Sequence, residues 1–397
     1  MTLKPVRDDL VDTAIPWCLT DEHRAWRRSM RDFTETVLRP AAAERSIEAR
    51  VDVKILQRMG EAGLYGVLVP EEFGGGGADL TSASLMIEEL ARIDSSAATT
   101  VHVQMANASL LAELGTDEQR ARLLPGLVTG ESFLALGLTE PSGGSDAGNI
   151  ATKAVRDGSD WVINGAKQFI SNSGTPMTHH ILVVAATGDF GTRRPRTTAF
   201  LVPTDSPGVD VGPSYPKLGW RSADTHPIYL SDVRVPADAV VGPQDKGYAK
   251  ILQYLTWARI PVAAMAVGLA QGCLEETWHF VSNRESFGKP LHEHQSVAFG
   301  MSDLAALTHT ARMITYDAAW KKDHGHPFDQ EAAICKMVAA DLANKIAYQA
   351  SEMHGGYGFM DEYAVTRHYR DAKVLTIGEG TAAVQRLLIA RSLGFKA

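Results

Sequence analysis

The stretch WVINGAKQFI at positions 161–170 decides where the chain changes character. Trp161, Val162 and Ile163 form a β-rich run, Asn164-Gly165 offers the positive φ angles of a tight turn, and Ala166 to Ile170 form a second run. A hairpin turning at Asn164-Gly165 is the expectation. Further out, Ile181 to Ala185 and Ala199 to Val202 add β-rich runs, and prolines at 195, 203, 207, 213, 216, 227 and 236 punctuate the segment. Residues 132–243 therefore read as a middle, antiparallel, β-barrel-like domain.

On both sides of it the apolar period lengthens to that of helices. In an N-terminal helical domain, residues 1–131, Thr20 can cap a helix whose first turn carries Asp21 and Glu22, with Pro40 expected to end it. Val53 to Ala62, closed by Gly63, then Ser82 to Ile93 and Asp117 to Leu127 read as further helices. The run Gly74 to Gly77 lacks the Lys-Ser/Thr of a phosphate loop and is expected to be a mobile turn. In a C-terminal domain, residues 244–397, Leu304, Leu307, Ala311, Ile314 and Ala318 step by three and four, and Ile334, Val338, Leu342 and Ile346 by four. Such stripes predict a four-helix bundle, and the whole an α+β multidomain chain.

Composition removes several classes. With 397 residues, 45% hydrophobic and 22% charged, the chain is long enough for two or three domains. Its 39 Lys plus Arg against 47 Asp plus Glu, a net charge of -8, leave no basic excess for nucleic acid. No run reaches the ~18 consecutive apolar residues of a membrane span. Met1 to Leu10, with Asp8 and Asp9, is unlike a basic targeting segment, so a cytoplasmic location is expected. Cys18, Cys273 and Cys335 are far apart and outside any CxxC, which predicts neither disulfides nor a zinc site. The pairs His179-His180, His292/His294 and His324/His326 lack an identifiable third ligand, and no GxSxG elbow occurs, so no metal site and no hydrolase is expected.

Five stretches could carry chemistry. Residues 134–150, LALGLTEPSGGSDAGNI, combine small hydroxyl residues with Pro141 and glycines that let a ligand approach the backbone. Residues 164–172, NGAKQFISN, put Phe169 and Ser171 on one face of a strand. The others are NRESFGKPLHEHQ at 283–295, MHGGYGF at 353–359, and DAKVLTIGEGTAAVQR at 371–386, where an acid sits between two glycines. Taken singly, each reads as a polar turn or a half-buried strand.

In this order and spacing the five resemble the acyl-CoA dehydrogenase family of flavoproteins, from about Thr20 to Arg391. The resemblance implies FAD as cofactor, an acyl-CoA substrate in fatty acid or branched-chain acyl metabolism, and electrons passed to an electron-transfer flavoprotein. It also implies a homo-oligomer, a tetramer, because the cofactor site is shared between subunits. Leu138 and Thr139 would bond the flavin, Ser145 the pantetheine arm, and Phe169 and Ser171 stand where Trp and Thr are common beside the ring. Arg284, Phe287 and Gln295 match the positions that reach a neighbouring subunit's FAD, Arg284 through a charge-assisted contact with the pyrophosphate. Gly355 and Gly356 match the paired glycines beside the adenosine, with Glu352 where Gln often lies, and Thr381 completes the cofactor contacts.

Glu379 matches the family's catalytic base, which takes the α-proton of an acyl thioester while a hydride leaves the β-carbon. A carboxylate of ordinary pKa, ~4.3, is a poor match for a carbon acid, and each unit of mismatch is worth ~1.4 kcal/mol. Excluding water raises the Glu pKa, and hydrogen bonds to the thioester carbonyl stabilise the enolate. Gly378 and Gly380 would let the backbone come close, with Gly380 and Arg259 on the substrate side. Several positions depart from the family pattern: Gly378 replaces a frequent aromatic, Ala383 a frequent Gln, and Thr256 a frequent Asp. Ala258 occupies the position of the base in some branches, which leaves Glu379 as the candidate. Ala98 matches an arginine of the glutaryl-CoA branch, so a dicarboxylic acyl chain is not expected. The scaffold also suits an acyl-CoA oxidase, an acyl-carrier-protein dehydrogenase, or a non-catalytic acyl-CoA-binding partner subunit. Retention of Glu379, Arg284 and Gln295 together argues against the last.

Overall fold

A computed structural model describes residues 15–396, so the expectation placed on Met1 to Leu10 lies outside the described residues. Helix α1 (Asp21–Phe33) starts as its sequence suggests. The Thr20 hydroxyl accepts from the His23 backbone N–H at 3.2 Å, and the His23 ring accepts from the Thr20 N–H at 3.2 Å. Pro40 does not end the helical path. A π turn (Thr34–Leu38) and a 3-10 turn (Arg39–Ala41) re-phase the chain into α2 (Ala42–Glu48), because proline near the start of a helical segment gives up an N–H that needs no partner.

Helices α3 (Val53–Glu61), α4 (Leu80–Ile93), α5 (Ser95–Leu114) and α6 (Asp117–Thr129) follow. Asp94 both ends α4 and caps α5, accepting from the Ser96 and Ala97 N–H groups at 3.0 and 3.2 Å. The glycine run is tied down, against expectation. The N–H groups of Gly75, Gly76 and Gly77 donate to Pro70, Gly66 and Val69 carbonyls, and a side chain at Gly75 would run into the Val69 carbonyl.

The middle of the chain forms β1 (Phe133–Gly137), β2 (Lys153–Asp157), β3 (Asp160–Ser171), β4 (Thr178–Gly188), β5 (Arg196–Pro203), β6 (Val209–Val211), β7 (Thr225–Val235) and β8 (Val240–Val241). They make one eight-stranded sheet in the order β6-β7-β3-β2-β4-β5-β8, with β1 added on β4. The sheet coils until Trp161 of β3 meets Phe200 of β5 edge-on, with ring centroids 5.3 Å apart. Pairing is mainly antiparallel, as expected, with β1 and the start of β2 running parallel to β4.

Asn164-Gly165 is not a hairpin turn either. Strand β3 continues through it, and the register against β7 shifts between Ile163 and Gly165. Asn164 exchanges hydrogen bonds with Asp232 across the bulge, while Gly165 lies where a Cβ would strike Thr152. The turn comes earlier, at Gly158, whose φ is 64°.

The C-terminal part holds α7 (Gly247–Asn283), a small hairpin of β9 (Glu285–Ser286) and β10 (Lys289–Pro290), then α8 (Gln295–Asp323), α9 (Asp329–His354), α10 (Ala364–Leu375) and α11 (Ala382–Ser392). One apolar core takes in Leu90 and Ala91 from α4, Val267 and Ala270 from α7, and Ala339 and Ala343 from α9. Helix α7 meets α4 so closely that a Cβ on Gly268 would run into the Glu88 carbonyl. The stripe expected on α9 is shifted: alanines 339, 343, 347 and 350 are buried with Ile346, while Ile334, Val338 and Leu342 are half-buried.

By length and composition α7 could cross a membrane, but 94% of its most apolar window is buried inside the protein. Cys18, Cys273 and Cys335 are free and buried, and no group of three or more His, Cys, Asp or Glu suited to a metal occurs among the described residues. His324 and His326 stack on Trp320, with centroids 4.3 and 5.3 Å away.

Candidate active site

Two of the sequence stretches are brought together on the sheet. The Gln168 N–H donates to the Thr139 carbonyl at 2.9 Å, which lays the loop after β1 along β3. Beneath it Lys167, fully buried, reaches Glu140 at 2.7 Å and the Leu138 carbonyl at 3.4 Å. Burial pushes the Lys167 ammonium down to about 8 despite the neighbouring carboxylate, and the same cation holds Glu140 below the usual carboxylate range against its own desolvation.

A second bulge, between Lys167 and Ile170, gives Phe169 a φ of 59°, uncommon for a bulky residue. Its ring is left 60% exposed, 5.2 Å from Tyr215, while Ile170 faces the core and Ser171 shares the outer side with Phe169. Ser145 is exposed in the loop after Pro141, next to Asp146, which Arg193 approaches at 3.5 Å.

Glu379 lies between α10 and α11 in a left-handed conformation, φ 53°, followed by Gly380 at φ 90°. The turn is held through its carbonyls. Gln385 donates to the Glu379 oxygen at 3.1 Å and to the Gly380 oxygen at 3.0 Å, and the Lys336 ammonium donates to the Gly380 oxygen at 2.7 Å. Thr381 caps α11, its hydroxyl accepting from the Val384 N–H at 3.3 Å. Burial pushes the Glu379 carboxyl above its ordinary pKa, and Arg259 and Lys336 oppose the shift. Arg259, buried, has an Nε without a hydrogen-bond partner, and Tyr254 on the same helix has a buried, unpaired hydroxyl within the field of the Glu379 charge.

The remaining expected residues form a separate group around the β9–β10 hairpin. Arg284 is exposed over the Tyr357 ring, 5.3 Å from its centroid, and Phe287 stands 96% exposed at the hairpin tip with φ 51°. Gln295 is exposed at the start of α8, and Glu352 and Gly356 are exposed at the end of α9. A Cβ on Gly355 or Gly356 would meet open space.

Comparison with known proteins identifies this arrangement. Three family models match along the chain: the N-terminal domain of acyl-CoA dehydrogenase over residues 20–131, its middle domain over 135–233 and its C-terminal domain over 245–394. The chain belongs to the acyl-CoA dehydrogenase family, a class of FAD-dependent oxidoreductases. It is 39% identical to the "Probable acyl-CoA dehydrogenase YngJ" of Bacillus subtilis strain 168, over 94% of this chain and 98% of that one. To the mitochondrial short-chain specific acyl-CoA dehydrogenase of Bos taurus it is 36% identical, over 94% and 90%.

Among solved structures, butyryl-CoA dehydrogenase from Megasphaera elsdenii is similar at a TM-score of 0.90, with 34% identity over 95% and 99% of the two chains. A chain of the electron transferring flavoprotein structure of Acidaminococcus fermentans matches at 0.90, with 33% identity over 94% and 98%. A glutaryl-CoA dehydrogenase from Mycobacterium smegmatis, solved with FADH2, matches at 0.91, with 28% identity over 96% and 97%. The residues here suit that cofactor, since the uncovered Phe169 ring beside the Leu138–Thr139 backbone offers a flat apolar seat, and Arg284 offers a free guanidinium face for phosphate.

Sequence reasoning singled out Glu379 and missed its supports. Lys336 and Gln385 hold its turn, Lys167 holds the loop after β1, and each is a polar side chain that is itself almost fully buried, which its sequence neighbours do not signal.

Proposed function

We propose that this protein removes two hydrogens across the Cα–Cβ bond of a short saturated acyl-CoA, with Glu379 as the base. The observation that carries the reading is the Glu379 turn, where a carboxyl whose basicity burial has raised is flanked by the two cations Arg259 and Lys336. Burial makes the carboxylate a stronger base, and the cations favour the ionised form that accepts the α-proton. FAD, when bound, supplies the hydride acceptor. Leu138, Thr139, Phe169 and Ser171 would seat its ring, with Ser145 along the pantetheine arm and Arg259, Gly380 and Thr381 around the reacting end of the site.

A short acyl group is favoured by the likeness to the short-chain and butyryl-CoA enzymes. An electron-transfer flavoprotein is proposed as acceptor on the likeness to the A. fermentans structure. Arg284, Phe287, Gln295, Glu352 and Gly356 face outward, which suits contact with the FAD of a second copy, and we infer a homotetramer in the cytoplasm.

Anaerobic titration of the yellow protein with saturated acyl-CoAs of increasing length tests this reading. Bleaching of the flavin band by short chains is expected, and Glu379→Gln should bind the same thioester without bleaching. Full bleaching by that variant would overturn the assignment. Rapid peroxide formation in air would point to an oxidase instead.

A further inference from the structure

Two consecutive left-handed residues, Glu379 and Gly380, need something to hold them, since a non-glycine residue in that region costs roughly 1–2 kcal/mol. Gln385 supplies one hold from within α11. The other comes from a different helix. Lys336 lies on α9 among Ala332, Ala333, Cys335, Ala339 and Ala340, and only 1% of its surface is exposed. A buried ammonium is expensive unless it is hydrogen-bonded and paired, and a methionine would fill the same space without that cost. The side chain makes a 2.7 Å bond to the Gly380 carbonyl, and the charges it faces are Glu379, Arg259 and Asp341.

The geometry points to Lys336 as a positioning residue for Glu379: its ammonium pins the Gly380 carbonyl, and so the turn that carries the base, and sets a positive charge beside the carboxylate. This rests on the reading of Glu379 as base. The groups within the field of the Glu379 charge are Arg259 and Tyr254 from α7 and Lys336 from α9, and of these only Lys336 makes a hydrogen bond to the turn. Arg259 adds charge from the other side, so removing Lys336 weakens the bias without abolishing it. Because an opposite charge lowers a carboxyl pKa, its loss moves the Glu379 titration upward.

The test uses the FAD-loaded protein with Lys336→Gln, which keeps an N–H donor and loses the charge, and Lys336→Met, which loses both. Glu379→Gln serves as reference. Flavin content and thermal unfolding report folding, and the infrared carboxyl band absent from Glu379→Gln reports the ionisation of Glu379 directly. In Lys336→Gln the band and the acid limb of kcat should both move up by about one pH unit, a tenfold change in ionisation, with flavin content near that of the parent. In Lys336→Met the same shift should come with a plateau roughly tenfold lower, the loss of about one hydrogen bond.

A band that titrates at the same pH in the parent and in Lys336→Gln would overturn the proposal. So would a loss of activity in both variants that follows flavin loss alone. Turnover by Glu379→Gln would instead remove the base assignment, while the infrared band would still read whether Lys336 biases that carboxyl. If Lys336→Met does not fold, Lys336→Gln alone carries the test.

Discussion

Lys167 and Glu140 form a buried pair, 2.7 Å apart, that fastens the loop after β1 to strand β3. The Glu140 carboxylate also accepts from the Ala151 N–H at 2.7 Å and the Thr152 N–H at 2.9 Å, so one ion pair ties together the start and end of that loop and the strand carrying Phe169. Removing the cation strands a buried carboxylate, which typically costs about 3–5 kcal/mol. Lys167→Met should lower unfolding stability by that order in denaturant titration and release flavin during purification. A variant of unchanged stability and full flavin content would contradict this account.

Asp371 of α10 accepts from the Trp220 N–H at 2.7 Å and is pushed up to about 7, chiefly by burial. In this window the folded state holds the proton more tightly than the unfolded chain. Stability is therefore fully retained below the ordinary carboxylate value and falls as pH rises through about 7, by up to ~1.4 kcal/mol per unit of separation. Asp371→Asn lacks that dependence. Its melting temperature relative to the parent should rise between pH 5 and pH 8, and a constant difference across that range would count against it.

Gly268 lies where α7 crosses α4. Alanine there must push the helices apart, with an expected loss of about 1–3 kcal/mol. Gly143, where an added Cβ meets nothing within 4 Å, provides the contrast. Thermal unfolding of Gly268→Ala and Gly143→Ala side by side should show a clear drop only in the first.

Arg284→Ala should leave the fold intact, since this side chain is exposed and lies over the Tyr357 ring at the surface. If it meets the pyrophosphate of FAD, losing a charge-assisted bond of about 1.5–3 kcal/mol weakens FAD binding roughly 10- to 100-fold. Reconstitution of stripped protein with FAD, followed by fluorescence, measures this. Equal affinity would place the phosphates elsewhere.

How much of this was legible in the sequence depends on whether a signal is local. The Thr20 cap is written in adjacent residues and sits where expected, and the Glu379 turn is local too, an acid between two glycines with left-handed backbone at Glu379 and Gly380. Asn164-Gly165 misled because the same dipeptide serves a turn or a bulge, and only the partner strand decides which. Pro40 misled because a stop and a change of helical phase look alike until the next turn packs. The stripe on α9 was misplaced because alanines, poor in apolar surface, are what fit against α7, a matter of spacing between helices that periodicity does not carry. Lys336 was invisible for the related reason that its partner is a backbone carbonyl.

The shared core of α4 and α7 also bears on how the molecule is made. The face of α4 that carries Leu90 and Ala91 finds its cover on a segment that begins at Gly247, so a growing polypeptide must carry that face uncovered while the intervening sheet is still being translated. At ~5–20 residues per second, the wait for those ~150 residues lasts on the order of ten seconds, an interval in which chaperone protection matters most.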